Sequence, residues 1–342
     1  MRRRGEQRSR RDGFTVVELL VSLGVISLLM AILMPAAQSA RESSRRIECA
    51  NRLKQIMLGT EAFASNRQRY PEYSSGGTDQ QGRLHGNVCP LVEILPYVDR
   101  ADVYQRMDLV NWHGAYDAYG SGQLYSPQNA EFVTLTIPLY QCPSDQNHPG
   151  SSSYRANMGT GADWYTYRPA PPFDSCFDSK NGNGAFEVMK ELRPGDFTDG
   201  LSNTVMYSER VIGDGNGAQF DSWRDYSQVD DAWPHCTTEE LHTTCQGIAG
   251  IAAQHASYAG FTWLFASKSH TAYDHILPPN SRISDCAHDG TQEPSATNSA
   301  ISARSQHFGV VNVVLGDGSV RTMSEHIEIN LWHELGSRNG HD

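Results

Sequence analysis

The sequence predicts an α+β protein, with one very long N-terminal helix followed by a β-rich domain of short strands and turns. Three observations predict it. A 21-residue run from Phe14 to Met34 carries Glu18 as its only charge. Small and apolar residues then recur at helical spacing to about Ala64. From Ser65 onward, Gly, Ser, Asn, Asp and Pro punctuate short runs of β-branched and aromatic residues, which is the composition of strands and turns.

Taken from the N-terminus, the first element is a basic leader. Residues 1–12 hold six Arg against Glu6 and Asp12, a local charge of +4, so the rest of a chain with net charge −11 carries −15. An acidic total excludes a general nucleic-acid binder, which needs an excess of phosphate-pairing cations. A mean hydropathy of −0.50 excludes a polytopic membrane protein. The run 14–34 is a different matter. As a helix it rises roughly 31 Å at about 1.5 Å per residue, close to the thickness of a bilayer core. The Arg cluster predicts a cytoplasmic start and an exported C-terminal bulk. An ordinary secretory signal fits less well, because the candidate cleavage point, Gly13, precedes the apolar run instead of following it.

The helix is expected to continue past the membrane. Pro35 lacks an N–H and predicts a local kink. Beyond it, Ala36, Ala40, Ser43, Ile47, Ala50, Leu53, Met57 and Thr60 form one face, with Arg41, Arg45, Arg46, Arg52 and Lys54 off it. One helix over 14–64, roughly 75 Å long at about 1.5 Å per residue, has its outer half against a head of residues 65–342. Glu18 stands out within the apolar run. A carboxylate inside a bilayer costs about 2.5–3.5 kcal/mol on insertion scales, so it is paired or functional. It either pairs with a cation or snorkels to the interface.

The Arg-rich leader, Gly13, Phe14-Thr15-Val16-Val17-Glu18-Leu19-Leu20 and the apolar stretch after them resemble the prepilin-type cleavage and methylation signal of type IV pilins and type II secretion pseudopilins. The resemblance implies a pilin-like fold and cutting between Gly13 and Phe14 by a prepilin peptidase, which then N-methylates Phe14. In a filament of such helices the free ammonium of a neighbouring Phe14 is then the cation that pairs with Glu18 and sets axial register. The mature chain would have 329 residues. The segment Cys49-Ala50-Asn51-Arg52-Leu53-Lys54-Gln55-Ile56 is similar to a narrower group, a domain-of-unknown-function family of large bacterial prepilin-like proteins. Leu95-Pro96-Tyr97, Cys142-Pro143-Ser144-Asp145, Ser153–Asn157, and Asp199-Gly200-Leu201-Ser202-Asn203-Thr204 followed by Glu209 fit the same family. So does a C-terminal His, nine residues, then Asp-Gly, here His307 to Asp317-Gly318. This family implies surface or secretion-linked filaments and no established reaction.

In the head, Phe308–Leu315, then Gly316-Asp317-Gly318-Ser319, then Val320–Met323 reads as a β-hairpin turning at Asp-Gly. Short strands between turn-rich loops predict an antiparallel sheet laid on the long helix. Seven Cys sit at 49, 89, 142, 176, 236, 245 and 286, and export makes disulfides expected. Cys236 and Cys245 are close enough for a local loop, and Cys49 is the expected odd thiol. An alternative zinc reading joins His235, Cys236, His242 and Cys245, although their spacing is unlike a paired knuckle.

Pseudopilin heads often hold Ca²⁺, and Asp178, Asn181, Asn183 and Glu187 crowd oxygen ligands around Gly182 and Gly184, as a hard cation requires. The same residues also suit a plain polar turn. His307 and Asp317 invite a catalytic reading, yet residues ten apart around a tight turn can simply face each other across paired strands. Asp199, Asn203 and Glu209 read first as loop-ordering contacts, and Asp317-Gly318 as turn chemistry. There is no G-x-S-x-G, Walker loop or H-E-x-x-H, so a structural role is expected, not an enzyme. The aromatic set Trp112, Tyr116, Tyr119, Trp164, Tyr165 and Tyr167 suits either sugar stacking or a core.

The expectation is therefore a pilin- or pseudopilin-like subunit of a type II secretion or type IV pilus-like filament. It would span the bacterial inner membrane once, with its head in the periplasm or at the cell surface. Its partners would be prepilin peptidase, like subunits and membrane lipid, without nucleic acid. The rival is a membrane-anchored extracellular ligand-binding protein that does not polymerise.

Overall fold

The computed structural model describes residues 15–73, 88–109, 128–146, 148–160, 182–188, 190–229, 238–248, 255–288 and 299–340. Helix α1 spans Val16–Arg67 and runs through Pro35 without a break. It ends three residues beyond the expected Ala64, where Gln68 takes a left-handed φ of 59° and donates its N–H to the Ala64 carbonyl. That is the usual way to satisfy a helix C-terminus, made here without glycine.

The chain divides between Ser44 and Arg45 into two units. In the first, the large apolar side chains from Val16 to Met34 are all exposed. Among the described residues α1 is the one helix long and apolar enough to cross a membrane. In the second unit, the buried stripe of α1 is Cys49, Leu53, Ile56, Met57, Gly59, Thr60 and Phe63. This corrects the expected face at Ile47, which is 63% exposed. Gly59 is required by a close approach, since a Cβ there would lie 2.5 Å from Cγ1 of Val98.

Short helices α2 (Pro90–Glu93) and α3 (Ala101–Tyr104) pack beside α1's stripe in the larger of the hydrophobic clusters. Strand β1 is Tyr154–Asn157, β2 Val205–Glu209, β3 Tyr226–Val229, β4 His255–Ala256 and β5 Ala272–Tyr273. Strand β6 is Asp285–His288, β7 Ser299–Ala300, β8 Val310–Leu315 and β9 Val320–Ser324. Helix α4 (Thr238–Ile248) lies between β3 and β4 in the chain, and α5 (Ile329–Gly336) follows β9.

The described strands form two sheets, ordered β5-β1-β2-β8-β9 and β4-β3-β6-β7. Both are mixed, which corrects the antiparallel expectation: β1 pairs parallel with β5 and β3 parallel with β6. Each of these pairs is separated by a long stretch of chain, as a parallel connection requires. The hairpin of β8 and β9 is found, with Val314 opposite Val320. A second core forms under α5, where the buried Trp332 ring stacks 3.8 Å from His275. Gly336 lets the end of that helix approach, because a Cβ there would lie 2.3 Å from Cγ of His275.

Candidate functional site

At the N-terminus of α1 the described residues begin with Thr15. Its hydroxyl accepts from the Glu18 N–H at 3.3 Å, while the Glu18 carboxylate accepts from the Thr15 N–H and hydroxyl, both at 2.8 Å. This reciprocal pair is a capping box, which satisfies helix donors that have no partner within the helix. Gly13 and Phe14 lie outside the described residues.

In the head, a disulfide joins Cys49 on α1 to Cys142 in the turn ahead of β1, with a Cα–Cα distance of 5.1 Å. This corrects the expectation that Cys49 is the odd thiol. The described free cysteine is Cys89, whose buried thiol donates to the Trp263 carbonyl and is pushed up to about 12 by burial. A second disulfide joins Cys245 on α4 to Cys286 on β6, in place of the expected Cys236–Cys245 loop. Cys245 and Leu241, one helical turn apart, are both buried, and Cys245 bonds to the sheet. The zinc reading loses Cys245 for the same reason; His235 and Cys236 lie outside the described residues.

Around Cys142 the polar groups are closely partnered. Its N–H donates to the Ser153 hydroxyl, and the Asp145 N–H donates to the Cys142 carbonyl. The Asp145 carboxylate accepts from Gln146 and Ile212 N–H groups at 2.8 Å, from Ser153 at 3.2 Å and from Arg224 at 3.3 Å. Burial pushes its pKa up against the pull of these donors.

His307 does not face Asp317 across the hairpin, contrary to expectation. It precedes β8, and its Nε2 lies 3.7 Å from Cys142 Sγ and 3.4 Å from Glu209 Oε1. Glu209, at the end of β2, accepts from the Asn312 N–H at 2.8 Å and from its amide at 3.0 Å. Asn312 in turn accepts from Thr322 on β9, whose hydroxyl accepts from Arg46 on α1. The polar path leaves α1 at Arg46, crosses β9, β8 and β2, and returns to α1 through His307 and the disulfide at Cys49.

Asp317 instead organises its own turn, accepting from the Ser319 N–H at 2.8 Å and hydroxyl at 2.6 Å. Those bonds hold its carboxyl below the usual range. Gly318 supplies the left-handed φ of 77° that the turn needs, and Lys54 on α1 donates to its carbonyl. The Asp199–Asn203 loop packs on this turn, because the Asp317 N–H donates to Leu201. Asn203 donates to the Asp199 carbonyl, and Asp199 accepts from the Gly340 N–H at 2.6 Å. Beside this loop an open cleft of about 540 Å³ is lined by residues including Lys190, Asp196, Asp199 and Arg338.

Two of the four expected calcium ligands, Asn183 and Glu187, are among the described residues. Asp178 and Asn181 lie outside the described residues. Asn183 accepts from the Thr160 N–H and donates to its hydroxyl. The Glu187 carboxylate is taken by two cations, Arg338 at 2.8 Å and Lys190 at 2.9 Å. The aromatic set from Trp112 to Tyr167 is also outside the described residues.

Sequence reasoning missed a buried ionic group. Asp285 on β6 receives Arg210 at 2.8 Å on one oxygen, with Arg304 at 2.9 Å and Ser302 at 2.6 Å on the other. Burial alone would push Asp285 up, but the two guanidinium groups hold its pKa below the usual range. Asn312 was missed too, although a polar residue interrupting Val-Val-Asn-Val-Val is a signal that its side chain is partnered.

Comparison with known proteins gives two family matches. A model described as "Protein of unknown function (DUF1559)" matches residues 38–330, and one described as "Prokaryotic N-terminal methylation motif" matches residues 8–34. The chain is similar to "Type IV major pilin protein PilA" of Myxococcus xanthus (strain DK1622). They are 28% identical over 79 residues, which is 22% of this chain and 36% of that pilin. The alignment thus spans about a third of the relative's length. No solved structure matches.

Proposed function

The chain belongs to the family described as Protein of unknown function (DUF1559), and from that premise we propose that it is a structural, non-enzymatic subunit of a pilin- or pseudopilin-like filament. The observation that carries this reading is the N-terminal methylation motif continuous with an apolar helix of bilayer length. Prepilin peptidase cuts between Gly13 and Phe14 and methylates Phe14. The helix holds the subunit in the inner membrane, and the head meets a partner or cargo outside it. A type II secretion or type IV pilus-like apparatus performs the assembly.

Glu18 has two uses on this reading. In the single subunit its carboxylate completes the capping box with Thr15. In the filament it exchanges those donors for the ammonium of a neighbouring Phe14. The exchange keeps the carboxylate partnered in a medium where an unpaired charge costs several kcal/mol.

The experiment is mass spectrometry of the mature N-terminus from native membranes, beside Gly13→Ala and Glu18→Gln. N-methylated Phe14, lost in Gly13→Ala and retained in Glu18→Gln, is expected. Cross-linked ladders of like subunits are expected from the native chain and not from Glu18→Gln. An intact Met1, or cleavage beyond Met34, would overturn the reading. Correct processing without ladders would favour the non-polymerising membrane-anchored protein.

A further inference from the structure

The side chains of Cys49, Cys142, Glu209 and His307 are buried together, and their donor atoms all lie within 4.8 Å of one another. We infer that this cluster, in its dithiol form, is a four-ligand Zn²⁺ site, so that metal and disulfide are alternative links between α1 and the head. Two thiolates, one imidazole and one carboxylate are a donor set that zinc accepts.

The geometry argues for a shared centre. Tetrahedral zinc with bonds of about 2.3 Å to sulfur and about 2.0–2.2 Å to nitrogen or oxygen places its ligands roughly 3.3–3.8 Å apart. His307 Nε2 already stands 3.7 Å from Cys142 Sγ and 3.4 Å from Glu209 Oε1. The same nitrogen faces both partners. A relay that oriented the imidazole for proton transfer would use its two nitrogens separately, one on the carboxylate and one on the sulfur. One nitrogen aimed between a sulfur and an oxygen suits a cation held by all three.

An outer layer is also present. Glu209 is oriented by the N–H and amide of Asn312, and Asn312 by Thr322; such partners fix ligand geometry at metal sites. With two thiolates and a carboxylate around Zn²⁺ the site carries one net negative charge, which the two Asn312 donors offset. Once freed from their bond, the sulfurs need to separate only to about 3.8 Å, the edge of the same tetrahedron.

The chemistry balances as follows. A small dithiol reductant exchanges with the Cys49–Cys142 bond, is itself oxidised to a cyclic disulfide, and leaves two thiols. Zn²⁺ then binds both sulfurs with loss of two protons to solvent. Re-formation of the protein disulfide by a disulfide oxidant releases Zn²⁺.

The test uses the full chain in detergent, reduced anaerobically by a small dithiol that is then removed, and titrated with Co²⁺ followed by Zn²⁺. One equivalent of Co²⁺ with intense tetrahedral visible bands and a thiolate charge-transfer band is expected, displaced by Zn²⁺. X-ray absorption of the Zn²⁺ form should show two sulfur and two nitrogen or oxygen neighbours. His307→Gln and Glu209→Gln should each weaken Co²⁺ binding at least tenfold. Their oxidised forms should retain the Cys49–Cys142 disulfide and native near-ultraviolet dichroism, which separates lost ligation from lost folding. The other cysteines are controlled by Cys49→Ser/Cys142→Ser, which should lose this equivalent. No uptake by the reduced chain, an equivalent that survives in the double serine variant, or unchanged affinity in His307→Gln would each overturn the inference.

Discussion

The double variant Cys49→Ser/Cys142→Ser measures how far the disulfide stabilises the head. The two cysteines are 93 residues apart. In the chain-entropy account, closing a loop of that length removes about 15.6 cal/mol/K from the unfolded ensemble, or about 4.7 kcal/mol at 25 °C. The same account gives about 3.9 kcal/mol for Cys245–Cys286, whose separation is 41. Serine nearly preserves the volume of cysteine, so the cavity contribution is small beside these figures. The assay is urea unfolding of the full chain in detergent, followed by tryptophan fluorescence, since Trp263 and Trp332 are both fully buried in the head. The expected result is a loss of about 4–5 kcal/mol for the first pair and slightly less for the second. A loss below about 1 kcal/mol with an unchanged urea slope would refute the reasoning, because the unfolded chain would then gain no freedom when the link is removed.

Two further outcomes are expected. Asp285→Asn strands two buried guanidinium groups, Arg210 and Arg304, and should cost about 3–5 kcal/mol in the same urea assay. His270 and His275 are buried with pKa values pushed down to about 3, for His270 with a further push from Arg155. Below about pH 6.5 the unfolded chain takes up protons there that the folded chain cannot. The stability they contribute is therefore present above about 6.5 and lost progressively down to about 3. Asp225, pushed up to about 6 by burial, contributes in the opposite sense between about 4 and 6. Asp274, pushed up to about 8 by burial, acts in the same sense as Asp225, so the His contribution is read by difference: the urea midpoint at pH 4 relative to pH 7 should be higher in His275→Gln than in the native chain.

The parts of the fold legible in the sequence are those fixed by neighbours in the chain. The length of α1 follows from apolar run and periodicity, and the β8–β9 hairpin from Gly316-Asp317-Gly318-Ser319, whose turn bonds all lie within a few residues. The same locality explains the misses. Sequence proximity suggested Cys236 for Cys245, yet the buried side of α4 presents Cys245 to β6. His307 and Asp317 share a hairpin in sequence, but the imidazole precedes β8 and turns to Glu209 on the neighbouring strand. The Arg210–Asp285–Arg304 group joins residues from separate parts of the chain, and ordinary charged residues give no local sign of burial. Ile47 was misplaced because the buried stripe of α1 begins two residues later, at Cys49.

The Cys49–Cys142 bond also bears on mechanics. A subunit pulled by the N-terminal part of its helix receives tension along one covalent route, and at Cys49 that route forks. The bond carries load straight to Cys142, bypassing a sequence separation of 93 residues. While it is intact, roughly 310 Å of contour, at about 3.3 Å per residue, cannot be drawn out. Stretching a single molecule from its two ends should therefore yield a contour shorter by about that length in the native oxidised chain than in oxidised Cys49→Ser/Cys142→Ser, which keeps the Cys245–Cys286 bond. Redox state would set how far a loaded subunit can lengthen once its strands have parted.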